Sequence, residues 1–274
     1  MRVFLGKPTL MMATVLAASV MALPAAAAMS CGQQPLALQV LGSGGPMADG
    51  DRAGSGYVVW RDGQAKVLID AGGGVFLRFG QAGASLDTLE HVAITHFHTD
   101  HVADLTALLK GAAFSERRAP LPISGPNGNR RFPSLEHFLQ AQFAADGGAF
   151  AYLGGLLEDN GDMFRLQPIT VAAERRDTVE VHRGEDLVIE AIGIPHGPVP
   201  TLAYRIEVDD RSLVISGDQN LGDGSFIEFA RGADVLVMPF AIPEGAGPAA
   251  ANLHARPSAI GRAAASADVD HLVL

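Results

Sequence analysis

The run Thr-His-Phe-His-Thr-Asp-His at residues 95–101 constrains this chain more than any other feature of its sequence. It follows a short apolar segment, which predicts a buried β-strand that ends where the histidines begin. In extended backbone, side chains two positions apart point to the same face, so His96 and His98 can bind one ion together. Asp100 and His101 come where the chain turns into a helix, and they can face a second ion. Imidazole nitrogens and carboxylate oxygens are the ligands expected for zinc and related divalent metals.

Composition excludes several other classes of protein. The chain has 274 residues, of which 48% are hydrophobic, so it can bury a sizeable core. Its one cysteine excludes a disulfide framework and a cysteine-rich zinc module. A formal net charge of −10 argues against broad electrostatic binding of nucleic acid.

The N-terminal residues 1–28 have the pattern of an export signal: positive residues, an uncharged apolar run and then small residues. We expect cleavage after Ala28 or Ala26, a hydrolase domain over residues 33–274, and a periplasmic or secreted location. The apolar run is shorter than the roughly 20 residues of a membrane-spanning helix, so we expect no stable membrane insertion after cleavage. An uncleaved membrane anchor and a lipoprotein attached through Cys31 remain as alternatives.

The apolar patterns predict strand clusters followed by helices, twice along the chain. The predicted strands cover residues 36–41, 56–60, 66–70, 91–95, 178–182, 187–195, 202–208, 212–217, 233–238 and 271–274. The predicted helices cover residues 100–114, 133–143, 226–230 and 257–267. Residues 144–161, rich in glycine, alanine and acidic side chains, predict an insert near the surface. This order favours an α/β protein with two packed sheets and helices outside them.

The histidine run and three further motifs resemble those of the metallo-β-lactamase superfamily, in the order that this family shows. Val67–Gly73 resembles the motif whose aspartate, here Asp70, orients a metal-ligating histidine. Gly193–Gly197 is similar to the next histidine motif, and Ile215–Asp218 to the motif of the metal-bridging aspartate. On these motifs the chain is identified as a member of the superfamily, which implies an αββα sandwich.

The resemblance also implies a role for each matching side chain. The ligands of the first of two zinc ions would be His96, His98 and His196. Those of the second would be Asp100 and His101, with Asp218 bridging both ions. Asp70 would hydrogen-bond to a ligand histidine, and Asp100 is also counted as a catalytic residue.

Further segments indicate a branch of the superfamily. No cysteine lies near the motifs, unlike the β-lactamase classes that use a cysteine ligand at the second metal. Leu121–Pro126 resembles the L-x-I-x-G-P stretch of the tRNA 3′-processing ribonucleases and the related arylsulfatase-type hydrolases. Leu253–Ser258 resembles the His-Ser/Thr motif of that branch, which implies that His254 is a general acid.

The branch then continues through a strand of the type V-x-x-L-V-L into a Ser/Thr-His pair, whose histidine is the last ligand of the second metal. Here Val269–Leu274 matches that strand, and the sequence stops. We expect a truncated sequence with the histidine just beyond Leu274. An incomplete second metal site is the alternative.

The function implied is that of a zinc-dependent hydrolase in which a metal-bound hydroxide attacks a small ester-type substrate. The classes considered are a phosphodiester, a sulfate ester, a lactone and a β-lactam. The acidic charge, the export signal and the lack of a basic glycine-rich arm lead us to expect a small-molecule substrate and no nucleic acid. Two alternatives are a mononuclear iron oxygenase of the persulfide-dioxygenase type and a non-catalytic periplasmic binder of a metal or ligand. The sequence does not indicate an oligomeric state.

The remaining basic and histidine residues receive structural interpretations. The basic clusters at residues 116–118 and 129–131 are interpreted as solvated surface charge, with pairing to one anionic group of a substrate as the alternative. The histidines interpreted as non-functional are His91, His137, His182 and His271, the first three of them on the surface.

Overall fold

Twelve strands, seven α-helices and one 3-10 segment make up the described part of the chain. The computed structural model describes residues 35–48, 50–112, 114–158 and 163–274. The predicted export signal lies outside these residues. The strands are β1 (Leu36–Gly42), β2 (Gly56–Arg61), β3 (Gln64–Ile69), β4 (His91–Ala93), β5 (Leu121–Pro126), β6 (Leu166–Val171), β7 (Val179–Arg183), β8 (Leu187–His196), β9 (Val199–Val208), β10 (Arg211–Ile215), β11 (Val235–Val237) and β12 (His271–Val273). The helices are α1 (Val75–Gln81), α2 (Thr99–Val102), α3 (Leu105–Ala112), α4 (Leu135–Phe143), α5 (Ser225–Phe229), α6 (Pro248–Ala251) and α7 (Pro257–Ala267), and the 3-10 segment is Ala151–Leu156.

The strands form two six-stranded mixed sheets. The first has the order β1-β2-β3-β4-β5-β6 and the second the order β12-β11-β10-β9-β8-β7. In the first sheet, β3, β4, β5 and β6 run parallel. In the second, β8 and β10 are both antiparallel to β9, so they point the same way. The carboxyl ends of β8 and β10 therefore lie at one edge of the second sheet.

Alternating side chains on the strands divide the core into three layers of contacts. Val67 and Ile69 of β3 pack in the cluster between the sheets, whereas Leu68 packs with α1, α3 and α4 on the outer face of the first sheet. On β8, Ile189 faces the first sheet and Ile192 packs against α5 and α7. The order helix, sheet, sheet, helix follows from this alternation, and the predicted αββα sandwich is confirmed.

An ion-pair cluster joins the sheets at the edge opposite the carboxyl ends of β8 and β10. Arg61 at the end of β2 lies 3.3 Å from carboxylate oxygens of Asp186, which precedes β8, and Asp209, which precedes β10. None of the helices in the described residues is long and apolar enough to cross a membrane.

The structure departs from the sequence prediction at residues 100–114. Two helices, α2 and α3, replace the single predicted helix. The break occurs because Asp104 turns towards α1, where its Oδ2 accepts hydrogen bonds from the backbone N–H groups of Gly74 and Phe76. The strands β5 and β6 and the helices α1 and α6 are not among the predicted elements.

Candidate metal centre

The histidine run begins where β4 ends and continues into α2. His96 is fully buried and His98 is half-buried, and the Nε2 atom of His96 lies 3.1 Å from the Nδ1 atom of His98. The segment is held against the second sheet because the backbone N–H of Leu202 on β9 donates to the carbonyl of Thr95 at 2.9 Å. The two histidines therefore point their ring nitrogens at one place, as the spacing predicts.

His196 reaches the same place from the second sheet. It is the last residue of β8, and its Nδ1–H donates to the backbone carbonyl of Leu253 at 2.7 Å. Because that bond places the proton on Nδ1, Nε2 is the nitrogen left with a free lone pair. Among the described residues this buried Nε2 atom has no hydrogen-bond partner.

Asp218 follows β10 and lies between the two groups of histidines. Its Oδ2 atom is 3.9 Å from Nε2 of His96 and 3.8 Å from Nε2 of His196. Its Oδ1 atom is 3.8 Å from Nε2 of His101, which is also 3.8 Å from Oδ2 of Asp100. One carboxylate thus faces two donor sets, one oxygen to each.

These distances fit a bound metal ion. Ligand atoms of His96, His98, His196 and Asp218 all lie within 4.8 Å of one another. A tetrahedral zinc ion with bonds of about 2.0–2.1 Å holds its ligand atoms roughly 3.3 Å apart. Without a cation, the unpartnered Nε2 of His196 would be a costly buried polar atom. The residues present therefore form a cluster that could hold a metal.

Asp70 holds the histidine run and His101 together. It is 1% exposed, and its φ of 56° puts it in the left-handed region, which aspartate tolerates better than most residues. Its carboxylate accepts hydrogen bonds at 2.8 Å from the backbone N–H and from the hydroxyl of Thr95, and at 2.6 Å from Nδ1 of His101. The last bond leaves Nε2 of His101 directed at Asp100 and Asp218.

Glycine is required where the Asp70 loop meets α2. The carbonyl of Asp100 accepts from the backbone N–H of Ser55 at 2.8 Å, and the carbonyl of His101 accepts from that of Ala71 at 2.7 Å. A Cβ atom on Gly72 would overlap the Asp100 carbonyl. The two motifs can therefore pack backbone to backbone only with glycine at this position.

Burial and charge have opposite effects on two of the histidines. Burial, together with the neighbouring imidazoles, lowers the pKa of His96 well below its usual range, which favours the neutral form that binds metals. At His101 burial opposes the charged form, but the carboxylates of Asp70, Asp218 and Asp100 raise the pKa to about 9. The carboxylate side of the cluster therefore favours a positive charge.

His254 lies beside the cluster, on the loop before α7. Its Nδ1 atom is 3.8 Å from Oδ2 of Asp218, and its ring centroid is 5.2 Å from that of His196. The loop is held in place because the backbone N–H of Ala255 donates to the carbonyl of Gln219 at 2.7 Å. His254 is thus near enough to reach a group bound at the cluster.

A buried chain of polar groups supports the histidine run, and the sequence did not reveal it. Ser124 on β5 accepts from Nε2 of His91 at 2.8 Å and donates to the hydroxyl of Tyr204 at 3.1 Å. Tyr204 in turn donates to the carbonyl of Ile94 at 3.0 Å, next to Thr95. The surface position expected for His91 is wrong, because β4 is a central strand and the residue is fully buried.

The other predicted bystanders lie away from the four-ligand cluster. His182 is half-buried on the edge strand β7, where its Nε2 atom lies 3.4 Å from Glu90. His137 is exposed on α4, and His271 is exposed on β12.

Sequence comparison decides the family. Residues 49–239 match the family described as "Metallo-beta-lactamase superfamily". The chain belongs to the metallo-β-lactamase superfamily. This superfamily member is 34% identical over 206 residues to the ribonuclease Z of Mycobacterium bovis (strain BCG / Pasteur 1173P2), an alignment that covers 74% of the chain and 69% of that relative. The chain is therefore a hydrolase of the superfamily, similar to ribonuclease Z.

Solved structures share the fold of this superfamily member at low sequence identity. The metallo-beta-lactamase fold protein YhfI from Bacillus subtilis has a TM-score of 0.63 and 22% identity, covering 87% of this chain and 85% of its own. The short form of human tRNase Z has a TM-score of 0.65 and 18% identity, covering 86% of this chain and 95% of its own. These likenesses show the superfamily fold.

The relatives correct one expectation. The prediction of a small-molecule substrate with no nucleic acid as a partner is wrong, because the curated relatives of this superfamily member are named ribonuclease Z. The physical reason lies in what net charge measures. A value of −10 is a sum over the whole chain and does not describe the local charge beside the metal cluster.

Proposed function

We propose that the chain hydrolyses phosphodiester bonds in RNA with two zinc ions at the His/Asp cluster. One observation carries the proposal: Asp218 faces a set of three histidines with one oxygen and His101 with the other, in a chain whose curated relatives are named ribonuclease Z. A carboxylate placed between two donor sets could be shared by a pair of cations about 3.5–4 Å apart.

The residues that would hold the first ion are His96, His98, His196 and Asp218, and those that would hold the second are Asp100, His101 and Asp218. Zinc is favoured over magnesium because imidazole nitrogens outnumber carboxylates in the first set. When bound, the ions supply positive charge at the phosphoryl group and make water more acidic at neutral pH.

The chain itself orients these ligands. The hydrogen bonds from His196 Nδ1 to the Leu253 carbonyl and from His101 Nδ1 to Asp70 fix Nδ1 as the donor in both rings. Nε2 is therefore the atom that would bind an ion, and at His101 the ion would replace a proton. His254 is placed to hold a proton at Nδ1, the nitrogen that faces Asp218, and to deliver it to the oxygen that leaves the phosphorus. Removing that proton from His254 would slow departure of a poor leaving group most.

Metal content and turnover of the purified protein test this proposal together. We expect zinc in the wild-type protein and cleavage of an RNA oligonucleotide, with both lost in the double variant His96→Ala/His98→Ala. The matched control is His271→Gln, which changes an exposed histidine on β12 and should leave both readings unchanged.

Two results would contradict the proposal. If the double variant retains stoichiometric zinc, His96 and His98 are excluded as zinc ligands. One iron per chain in place of zinc, without RNA cleavage, would favour the oxygenase alternative.

We also propose that residues 1–28 are an export signal and that the protein acts in the periplasm or outside the cell. The charged start, the apolar run and the small residues before Met29 support this. The mass of the protein isolated from a cell fraction tests it. We expect a chain that starts at Met29 or Ala27 in the exported fraction, and an uncleaved chain in the cytoplasm would contradict the proposal.

A further inference from the structure

A cavity of about 580 Å³ lies beside the candidate metal centre, between the loop 128–134 and the first turns of α4. Its lining includes Arg130, Arg131 and Phe132, and we call it the Arg130 cavity. The ring centroid of Phe132 is 5.8 Å from that of His98, so the cavity adjoins the metal cluster. Its volume lies within the range of about 300–1,000 Å³ that small-ligand sites occupy, enough for one nucleotide of a strand.

The loop that carries the arginines is fixed in place. The side-chain N–H of Asn129 donates to the carbonyl of Pro198 at 2.8 Å, which ties the loop to the turn after His196. The Oδ1 atom of Asn129 accepts from the backbone N–H of Arg131 at 2.8 Å and from that of Phe132 at 3.0 Å. Because these hydrogen bonds already hold the backbone of the loop, binding a ligand beside the cluster would cost little free energy in ordering that backbone.

Helix α4 is held at the same place. Ser134 caps its start by accepting from the backbone N–H of His137 at 3.2 Å. Phe138 stacks on Phe97 of the histidine run with ring centroids 4.8 Å apart. The N-terminal end of the helix, which carries partial positive charge, is therefore part of the cavity wall.

The two basic clusters of the chain differ in what their side chains do. The guanidinium of Arg117 donates to the carbonyls of Leu86, Leu89, Ala119 and Pro120, so its role is structural. Arg130 and Arg131 are exposed, and within the described part of the chain neither guanidinium makes a hydrogen bond or an ion pair. No carboxylate is present among the described residues that line the cavity. Of the two basic clusters, the one with free guanidinium groups is therefore the one next to the metal cluster.

We propose that the Arg130 cavity binds the RNA strand next to the scissile phosphate, an inference that rests on the proposed function. A guanidinium presents a planar fork of donors that matches a phosphate, and the two arginines would contact successive phosphates of the backbone. The half-buried ring of Phe132 offers a face on which an unpaired base can stack. Because the chain is acidic overall, this local positive surface directs the strand to the reacting centre.

The test is the binding of a fluorescein-labelled RNA oligonucleotide, whose affinity is read by anisotropy before turnover, with gel electrophoresis of each sample confirming that the strand is intact. The holoenzyme is titrated over a range of salt concentrations. For Arg130→Ala/Arg131→Ala we expect an affinity roughly tenfold to a hundredfold weaker, because two charge-assisted contacts are lost. The slope of log affinity against log salt should become less steep by about 1.4, since each phosphate contact on a single strand contributes about 0.7.

Two further variants separate the contributions. Phe132→Leu should weaken binding roughly tenfold with the salt slope unchanged, because stacking involves no phosphate. The matched control Arg262→Ala removes an exposed arginine on α7, outside the cavity, and should change the affinity less than about twofold. In turnover, the ratio of kcat/KM on RNA to kcat/KM on bis(4-nitrophenyl) phosphate should fall in the double variant.

The outcomes distinguish the two proposals. Wild-type affinity and salt slope in the double variant would overturn the cavity proposal, whether or not the enzyme cleaves RNA. Absence of RNA binding by the wild-type protein would overturn it as well. Binding that depends on Arg130 and Arg131, in a protein that cleaves no phosphodiester, would support the cavity and overturn the proposed function.

Discussion

Replacing Asp70 with asparagine should disable His101 as a metal ligand while leaving the fold intact. Asp70 has a φ of 56° and is 1% exposed. Asparagine tolerates the left-handed conformation as well as aspartate does and has nearly the same shape. The backbone of the loop therefore has no reason to move.

The effect arises from one proton on His101. A carboxylate only accepts hydrogen bonds, so Nδ1 of His101 must donate to Asp70, and Nε2 is the nitrogen that ligates when an ion displaces its proton. In Asp70→Asn the backbone N–H of Thr95 still requires an acceptor, which keeps the amide oxygen at the Oδ1 position. The amide nitrogen then faces His101 and donates to Nδ1. The imidazole proton is forced onto Nε2, and a protonated Nε2 cannot bind a metal.

The magnitude follows from the bond that is lost. A hydrogen bond to a charged group contributes about 1.5–3 kcal/mol. Residues that orient ligand histidines typically change metal affinity or activity by about 10–100-fold, which corresponds to roughly 1.4–2.7 kcal/mol. We therefore expect the ion at His101 to bind about 10–100-fold more weakly, and turnover to fall by a similar factor.

The assay is zinc content after dialysis against a series of free zinc concentrations, together with turnover and thermal denaturation. The matched control is Asp268→Asn at the end of α7, where the aspartate also has a left-handed φ of 52° but is exposed. Full zinc content and wild-type turnover in Asp70→Asn would refute the reasoning. An equal loss in Asp268→Asn would assign the effect to the asparagine backbone instead.

Three further changes test other parts of the structure. Tyr204→Phe leaves the Ile94 carbonyl without its hydrogen-bond donor, so the free energy of unfolding in urea should fall by about 1–3 kcal/mol. A fall below about 0.5 kcal/mol would contradict the role of Tyr204 in supporting the histidine run. Burial and His182 lower the pKa of His91 to about 3, so below about pH 6.5 the unfolded chain binds more protons than the folded chain. The free energy of unfolding should therefore decline by up to about 1.4 kcal/mol per pH unit as pH falls from 6.5. If His91→Gln shows the same slope of this free energy against pH as the wild-type protein, His91 is not the group responsible. His254→Gln should lower kcat about 100-fold for RNA but much less for a 4-nitrophenyl leaving group, at unchanged zinc content, and equal losses on both substrates would remove His254 as the acid.

The candidate ligands could be anticipated from the sequence because each lies at or after the carboxyl end of a strand, whereas His254 lies on a loop between two helices. The positions of His96 and His98 need only the two-residue period of extended backbone and a turn that follows. His196 and Asp218 were indicated by short motifs at the ends of β8 and β10, and the structure places both beside the first pair. Such local signals determine where a side chain starts and which way it points.

The elements that sequence analysis missed depend on contacts distant in the chain. Helix α1 is preceded by Gly74, which has no side chain to cap it, and the capping group is Asp104, 30 residues later. Strand β6 contains Pro168 and an exposed Gln167 and is stabilised by parallel pairing with β5. The burial of His91 likewise depends on Ser124 and on Tyr204, 80 residues beyond Ser124. No window of the sequence contains these partners.

The candidate ligands are divided between the two sheets, since His96, His98 and His101 follow β4 whereas His196 and Asp218 end or follow strands of the other sheet. Ions shared by both groups would join the halves of the sandwich by coordinate bonds along one edge, and the ion pairs of Arg61 join them along the opposite edge. At a free zinc concentration a thousandfold above its Kd, that linkage would add about 4 kcal/mol to the stability of the folded chain. Chelation of the zinc should then loosen the edge that carries the ligands before the edge that carries the Arg61 ion pairs. Proteolysis of the chelated protein should therefore begin in the loops that carry the histidines.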